Sequence, residues 1–163
     1  MAGIVLTDAS PVIVLARIDG LGWLKSIFGQ VHVPVPVRKE VLTGRDKAGE
    51  PMILDAINRN MLIVLRRDWK APQFPDLGEG EAGCIRAAVN LRKPCLILMD
   101  DRAGRATAIE RGFKVAGTAA IIALAKRKKL IPSAAAVFER LLQMDFRLSA
   151  EVIRAVLEEV GER

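Results

Sequence analysis

Five short apolar runs rich in β-branched residues punctuate this 163-residue chain: Ile4–Thr7, Val31–Val33, Leu62–Leu65, Leu96–Met99 and Lys114–Ala116. Between them lie segments with helical spacing: Pro11–Ile18, Leu21–Phe28, Val35–Leu42, Pro51–Arg59, Glu81–Leu91, Ala103–Arg111 and Thr118–Lys128. Strands that alternate with helices close through right-handed crossovers into a largely parallel sheet with helices on both faces. After Pro132 the pattern is purely helical. Ser133 caps a segment carrying Val137, Leu141 and Leu142, and Ser149 caps another carrying Ile153, Val156 and Leu157. The expectation is an α/β fold, a three-layer α/β/α single domain over 1–163, with 131–163 as a helical C-terminal extension.

In such a sheet ligands bind beyond the carboxyl ends of the strands. Asp8 directly follows the first run, ahead of Ser10-Pro11, which reads as a helix cap and first helical residue. Asp100 and Asp101 directly follow the fourth run, so they share a crevice with Asp8 if the two strands are neighbours. Glu40 lies three residues after Val37 and beside Val41, and Glu81 lies four, seven and eight positions before Ile85, Ala88 and Val89. Both are expected to point inward, where a charge needs a partner or a cation. Singly, each acid has a structural alternative: Asp8 as a helix cap, Glu81 as an acid favoured at a helix N-terminus. Together they repel by about 1 to 4 kcal/mol per close pair, so something positive has to offset them. An all-oxygen cluster suits Mg²⁺ or Mn²⁺, ions that assist in-line displacement at phosphodiesters.

Other chemistries are excluded by what the chain lacks. His32 is the only histidine and the cysteines are Cys84 and Cys95, too few and too far apart for a Cys/His zinc site, a Ser-His or Cys-His pair or a disulfide framework. Gly78-Glu79-Gly80-Glu81-Ala82-Gly83 fits a dinucleotide-binding spacing but follows a Pro-rich loop and puts carboxylates where a pyrophosphate belongs. Ala9-Ser10 after Asp8 lacks the second acid of the aspartyl phosphatases. Neither a signal peptide nor a membrane span is read, so the protein is expected in the cytoplasm, without a membrane partner.

The formal charge is +6, and from Arg66 to Leu130 fourteen Lys/Arg face seven Asp/Glu. Arg102 and Arg105, just beyond the acid pair, are the candidates for phosphate contacts. The run Lys126-Arg127-Lys128-Lys129 matches a solvated helix C-terminus. Aromatics make up only 4%, with no Tyr, which argues against successive base stacking and leaves backbone contact as the mode.

These residues resemble a known family. Val5-Leu6-Thr7-Asp8-Ala9-Ser10-Pro11-Val12-Ile13, then Val33–Val41 with Glu40, Gly80-Glu81-Ala82 and Leu98-Met99-Asp100-Asp101-Arg102 are similar in order to the PIN-domain nucleases, whose toxin members form the VapC-like group. The likeness runs from about Ile4 to Ile131 and is strongest to a prokaryotic branch with Gly-Glu, Asp-Asp-Arg and Gly-Thr steps, the last here Gly117-Thr118. It implies that Asp8, Glu40, Glu81 and one of Asp100 or Asp101 are the metal-coordinating acids, with Ser10 assisting nearby. Glu81 stands where many members have Asp, and Met99 where many have Thr, so the choice between Asp100 and Asp101 stays open. The implied activity is a Mg²⁺- or Mn²⁺-dependent endoribonuclease acting on RNA, the toxin-type partner of a cognate antitoxin and a homodimer. The alternative is a non-catalytic PIN-like module that binds RNA or a protein.

Overall fold

The computed structural model describes residues 3–45 and 47–162. Each apolar run is a strand: β1 (Ile4–Thr7), β2 (Val31–Val33), β3 (Leu62–Val64), β4 (Cys95–Leu98) and β5 (Lys114–Ala116). The sheet is parallel throughout, in the order β3-β2-β1-β4-β5. β3 and β4 end one residue earlier than their apolar runs, yet the ladder runs on: Leu65 N–H donates to Val33 O at 2.9 Å and Met99 N–H to Ala116 O at 2.9 Å. Val5, Leu6 and Thr7 are all buried although their side chains alternate in direction, so β1 is covered on both faces, as the crossovers require.

The helices are α1 (Ala9–Arg17), α2 (Leu21–Phe28), α3 (Val35–Val41), α4 (Glu50–Asn58), α5 (Glu79–Leu91), α6 (Arg102–Glu110), α7 (Thr118–Arg127), α8 (Ala134–Gln143) and α9 (Ala150–Glu159). No described helix is long and apolar enough to cross a membrane. Strand order reverses around β1: β2 and β3 lie on one side, β4 and β5 on the other. β1 and β4 are therefore neighbours, with Thr7 opposite Leu98, and the switch point opens a crevice at their carboxyl ends.

The C-terminal helices close on this frame through caps and ion pairs. Ser133 Oγ accepts from Ala136 N–H and Ser149 Oγ from Val152 N–H, each at 3.1 Å. Glu162 ties the chain end back, accepting from Ala134 N–H at 2.7 Å, Ala135 N–H at 3.1 Å and Ser133 Oγ at 3.1 Å, with Lys126 3.6 Å away. Arg127 pairs with Glu159. The first half of the basic run at the end of α7 thus fastens the extension.

Candidate active site

Asp8 is held by the sheet before any helix begins. Its N–H donates to Leu98 O at 2.9 Å, and the chain then turns straight into α1. The expected cap at Ser10 is corrected: α1 starts at Ala9, Asp8 is the residue at the cap position, and Pro11 sits within the first turn, where a missing N–H costs nothing. Asp8 occupies the cap position without making the cap's side-chain bond. It is only 3% exposed, and its Oδ1 is buried with no hydrogen-bond partner among the described residues. Burial pushes its pKa up; the Ala9 amide pulls the other way, and the charges of Glu81, Glu40 and Asp101 push further, leaving it at about 7.

Glycine makes room for the neighbouring acids. At Gly80, in the first turn of α5, a Cβ would lie 2.5 Å from Glu40 Oε1 and 2.8 Å from Asp8 Oδ1. Any side chain at position 80 would therefore wedge these two carboxylates apart. α5 and α3 approach just as closely one turn on, where a Cβ on Gly83 would meet Pro36 Cγ at 2.9 Å. That approach brings Glu40, on α3, beside Glu81, on α5. Glu40 is exposed, which corrects the expectation of an inward side chain: Val37 and Val41 take the buried stripe, and Glu40, one position before Val41, lies at its edge. Its carboxylate is nonetheless raised above the usual range, by burial first and then by Glu81, while the Gly80 amide lowers it. Glu81 is half-buried. Beneath the acids lies Cys84, fully buried, its thiol raised by burial and by the charges of Asp8, Glu81 and Glu40.

The two acids after β4 part company. Asp101 caps α6, its Oδ2 accepting from Gly104 N–H at 2.8 Å, and its charge acts on Asp8. Asp100 turns toward α7: Oδ1 accepts from Thr118 N–H and Oδ2 from Thr118 Oγ1, both at 2.7 Å, and Ser10 Oγ donates to Oδ2 at 3.1 Å. Ser10 therefore braces an acid, and Asp100 stitches β4, α1 and α7 together. Arg105 is half-buried and its Nη1 donates to Met99 O at 3.1 Å, while Arg102 is exposed. His32 lies on β2, with Nδ1 3.3 Å from Val5 O. Among the residues that matter here, Gly80, Cys84 and Thr118 take roles that residue type alone does not announce; only the position of Gly80 one residue before Glu81, and of Thr118 in the Gly-Thr step, carries any signal.

Asp8, Glu40, Glu81 and Asp101 thus form one acidic group around a buried, unpartnered carboxylate oxygen. Its donors are all hard oxygens, and the orphaned Asp8 Oδ1 fits a divalent cation such as Mg²⁺ or Mn²⁺. Among the described residues no three His, Cys, Asp or Glu side chains are placed to hold a metal ion together, so the acids would have to draw in around an ion, with water or substrate oxygens completing its coordination. No curated protein matches the chain. A family model described as a PIN domain matches residues 4–162, nearly its whole length.

Proposed function

The chain belongs to the PIN-domain family, whose members are generally nucleases, and on that premise we propose that it is a Mg²⁺- or Mn²⁺-dependent endoribonuclease hydrolysing RNA phosphodiesters. The observation that carries the reading is the buried Oδ1 of Asp8, unpartnered and surrounded by the charges of Glu81, Glu40 and Asp101. An isolated anion in that position is strongly disfavoured, and a cation resolves it.

In this reading Asp8, Glu81 and Asp101 would close around the metal and hold it, and the ion would supply positive charge to activate water and stabilise the phosphoryl oxygens. Glu40, exposed at the edge of the group, orients the attacking water and accepts its proton, a task helped by a carboxylate whose hold on a proton is raised by partial burial and by Glu81. Asp100 is a positioning residue: through Thr118 and Ser10 it sets the backbone that presents Asp101. Arg102 and Arg105 attract the phosphate strand. Asp8→Asn removes Mg²⁺- or Mn²⁺-dependent cleavage of RNA while the far-UV circular dichroism stays native; full activity in that variant overturns the assignment.

The finer biological role rests on the likeness of Val5–Ile13 and the later acid motifs to VapC-like toxins. In that role the chain is a cytoplasmic homodimer restrained by a cognate antitoxin. Expression in a bacterial host should arrest growth with the natural chain and not with Asp8→Asn; equal growth of the two refutes the toxin role.

A further inference from the structure

A cleft of about 510 Å³ opens beside the acidic group, between the N-terminal ends of α6 and α7 and the face of α9. Its size is that of a small-ligand site. It is lined by Arg102, Arg105 and the first turn of α7, and by an aliphatic wall of Leu148, Val152 and Val156 contributed by α9 and the residues leading into it. From this arrangement we infer that the cleft seats the nucleotide of the RNA strand next to the bond being cut, its phosphate at Arg102 and Arg105 and its base against the α9 wall. The inference rests on the nuclease reading and extends it, because it makes the C-terminal extension part of the substrate site.

Charge selects the occupant. Two acids also line the cleft: Glu159 is paired with Arg127, while Asp100 accepts from Thr118 and Ser10, neutral donors that fix its carboxylate in place and leave its negative charge standing. Arg102 makes no ion pair among the described residues. Of Arg105, only Nη1 is engaged, by Met99 O. Arg102 and Arg105 together outweigh Asp100, so the cleft keeps a single net positive charge. The first amide of α7, on Thr118, is already taken by Asp100; the amides of Ala119 and Ala120, which follow it and line the cleft, are the ones left to favour an anion. An anion with an attached apolar body, of a volume that fits, is what a nucleotide offers. Continuity points the same way: Asp100 lines the cleft, and its neighbour Asp101 belongs to the acidic group.

The wall is held in place. Arg127–Glu159 and the Glu162 clasp on the start of α8 fix α9 along α7. Val152 is 41% exposed, so it presents its side chain to the cleft rather than to the core.

Binding is tested on the full-length chain in EDTA, apart from cleavage, by titrating each of the four nucleoside 5′-monophosphates and following backbone amides by NMR. The amides of Gly117, Ala119, Ala120 and Val152 should shift together and saturate. Arg102→Ala should weaken binding about tenfold, as expected for a lost charge-assisted hydrogen bond. Val152→Trp should fill the cleft and abolish binding with the spectrum otherwise native, while Leu142→Trp, on the exposed face of α8, binds like the natural chain. Nucleosides without phosphate should bind more weakly. Equal binding by Val152→Trp, equal binding of nucleosides, or saturation of these amides by an apolar peptide but not by nucleotides overturns the inference. RNA cleavage by the same preparation in Mn²⁺ separates the two readings. Cleavage without nucleotide binding refutes the cleft and leaves the nuclease standing, whereas binding without cleavage refutes the nuclease, and with it the place of the cleft beside a cut bond, and leaves a nucleotide-binding cleft.

Discussion

Replacing Asp8 with Asn should change how stability depends on pH, by an amount the geometry supplies. Burial and the charges of Glu81, Glu40 and Asp101 hold the Asp8 carboxyl at about 7 in the folded chain, against an ordinary 3.8. A carboxyl raised on folding binds its proton more tightly in the native state than in the unfolded one. Its contribution is therefore fully present below about pH 4 and is lost as pH rises through 7, at about 1.4 kcal/mol per pH unit across the window. The total is about 4 kcal/mol between pH 4 and pH 8. Asn cannot ionise, so in EDTA the stability difference between Asp8→Asn and the natural chain should swing by about that amount in favour of the variant as pH rises. Glu40, Glu81 and Asp101 are present in both proteins, so the difference reports Asp8 together with its coupling to these neighbours. The assay is urea unfolding at a series of pH values. At pH 8, Mn²⁺ at a hundredfold excess over its dissociation constant should return about 3 kcal/mol to the natural chain and nothing to the variant. A stability difference that is flat from pH 4 to 8, or equal stabilisation of both proteins by Mn²⁺, would refute the picture of a buried carboxylate awaiting a cation.

Three further outcomes follow from the same contacts. Gly80→Ala places a methyl 2.5 Å from Glu40 Oε1 and 2.8 Å from Asp8 Oδ1, so Mn²⁺ affinity, read from the metal-induced rise in melting temperature, should fall although Ala is the better helix former by about 1 kcal/mol. Asp100→Asn and Asp101→Asn should separate: the first breaks bonds to Thr118 and Ser10 and lowers stability by about 1 to 3 kcal/mol. The second keeps the α6 cap, which Asn serves as well as Asp, and loses RNA cleavage with little change in the unfolding midpoint. Glu162→Ala should cost about 1 to 2 kcal/mol by uncapping α8, and hydrogen exchange in the first turns of α8 should accelerate; because its neighbours hold the Glu162 carboxyl below the usual range, the clasp in the natural chain should also weaken as pH falls through that lowered value.

Much of this was legible in the order of residues. Five β-branched runs became five parallel strands because period and length suffice to tell a short buried strand from a helix, and Ser133 and Ser149 capped the helices they were expected to cap. That Asp8, Asp100 and Asp101 stand at strand ends also follows from adjacency along the chain. What adjacency cannot contain is which strands are neighbours and which way a side chain leaves a turn. Placing β4 beside β1 made Asp8 and the acid pair share a crevice, and the first turn of α6 took Asp101 as its cap while α7 drew Asp100 away through Thr118. Glu40 read as inward because helical spacing fixes only an angle around the axis, and a residue at the edge of the stripe is buried or exposed according to what packs there. Gly80 is a small residue in the sequence and a gap between two carboxylates in the fold. The acids themselves were written into the chain; their convergence on one unpartnered oxygen is a property of contacts made between residues that lie tens of positions apart.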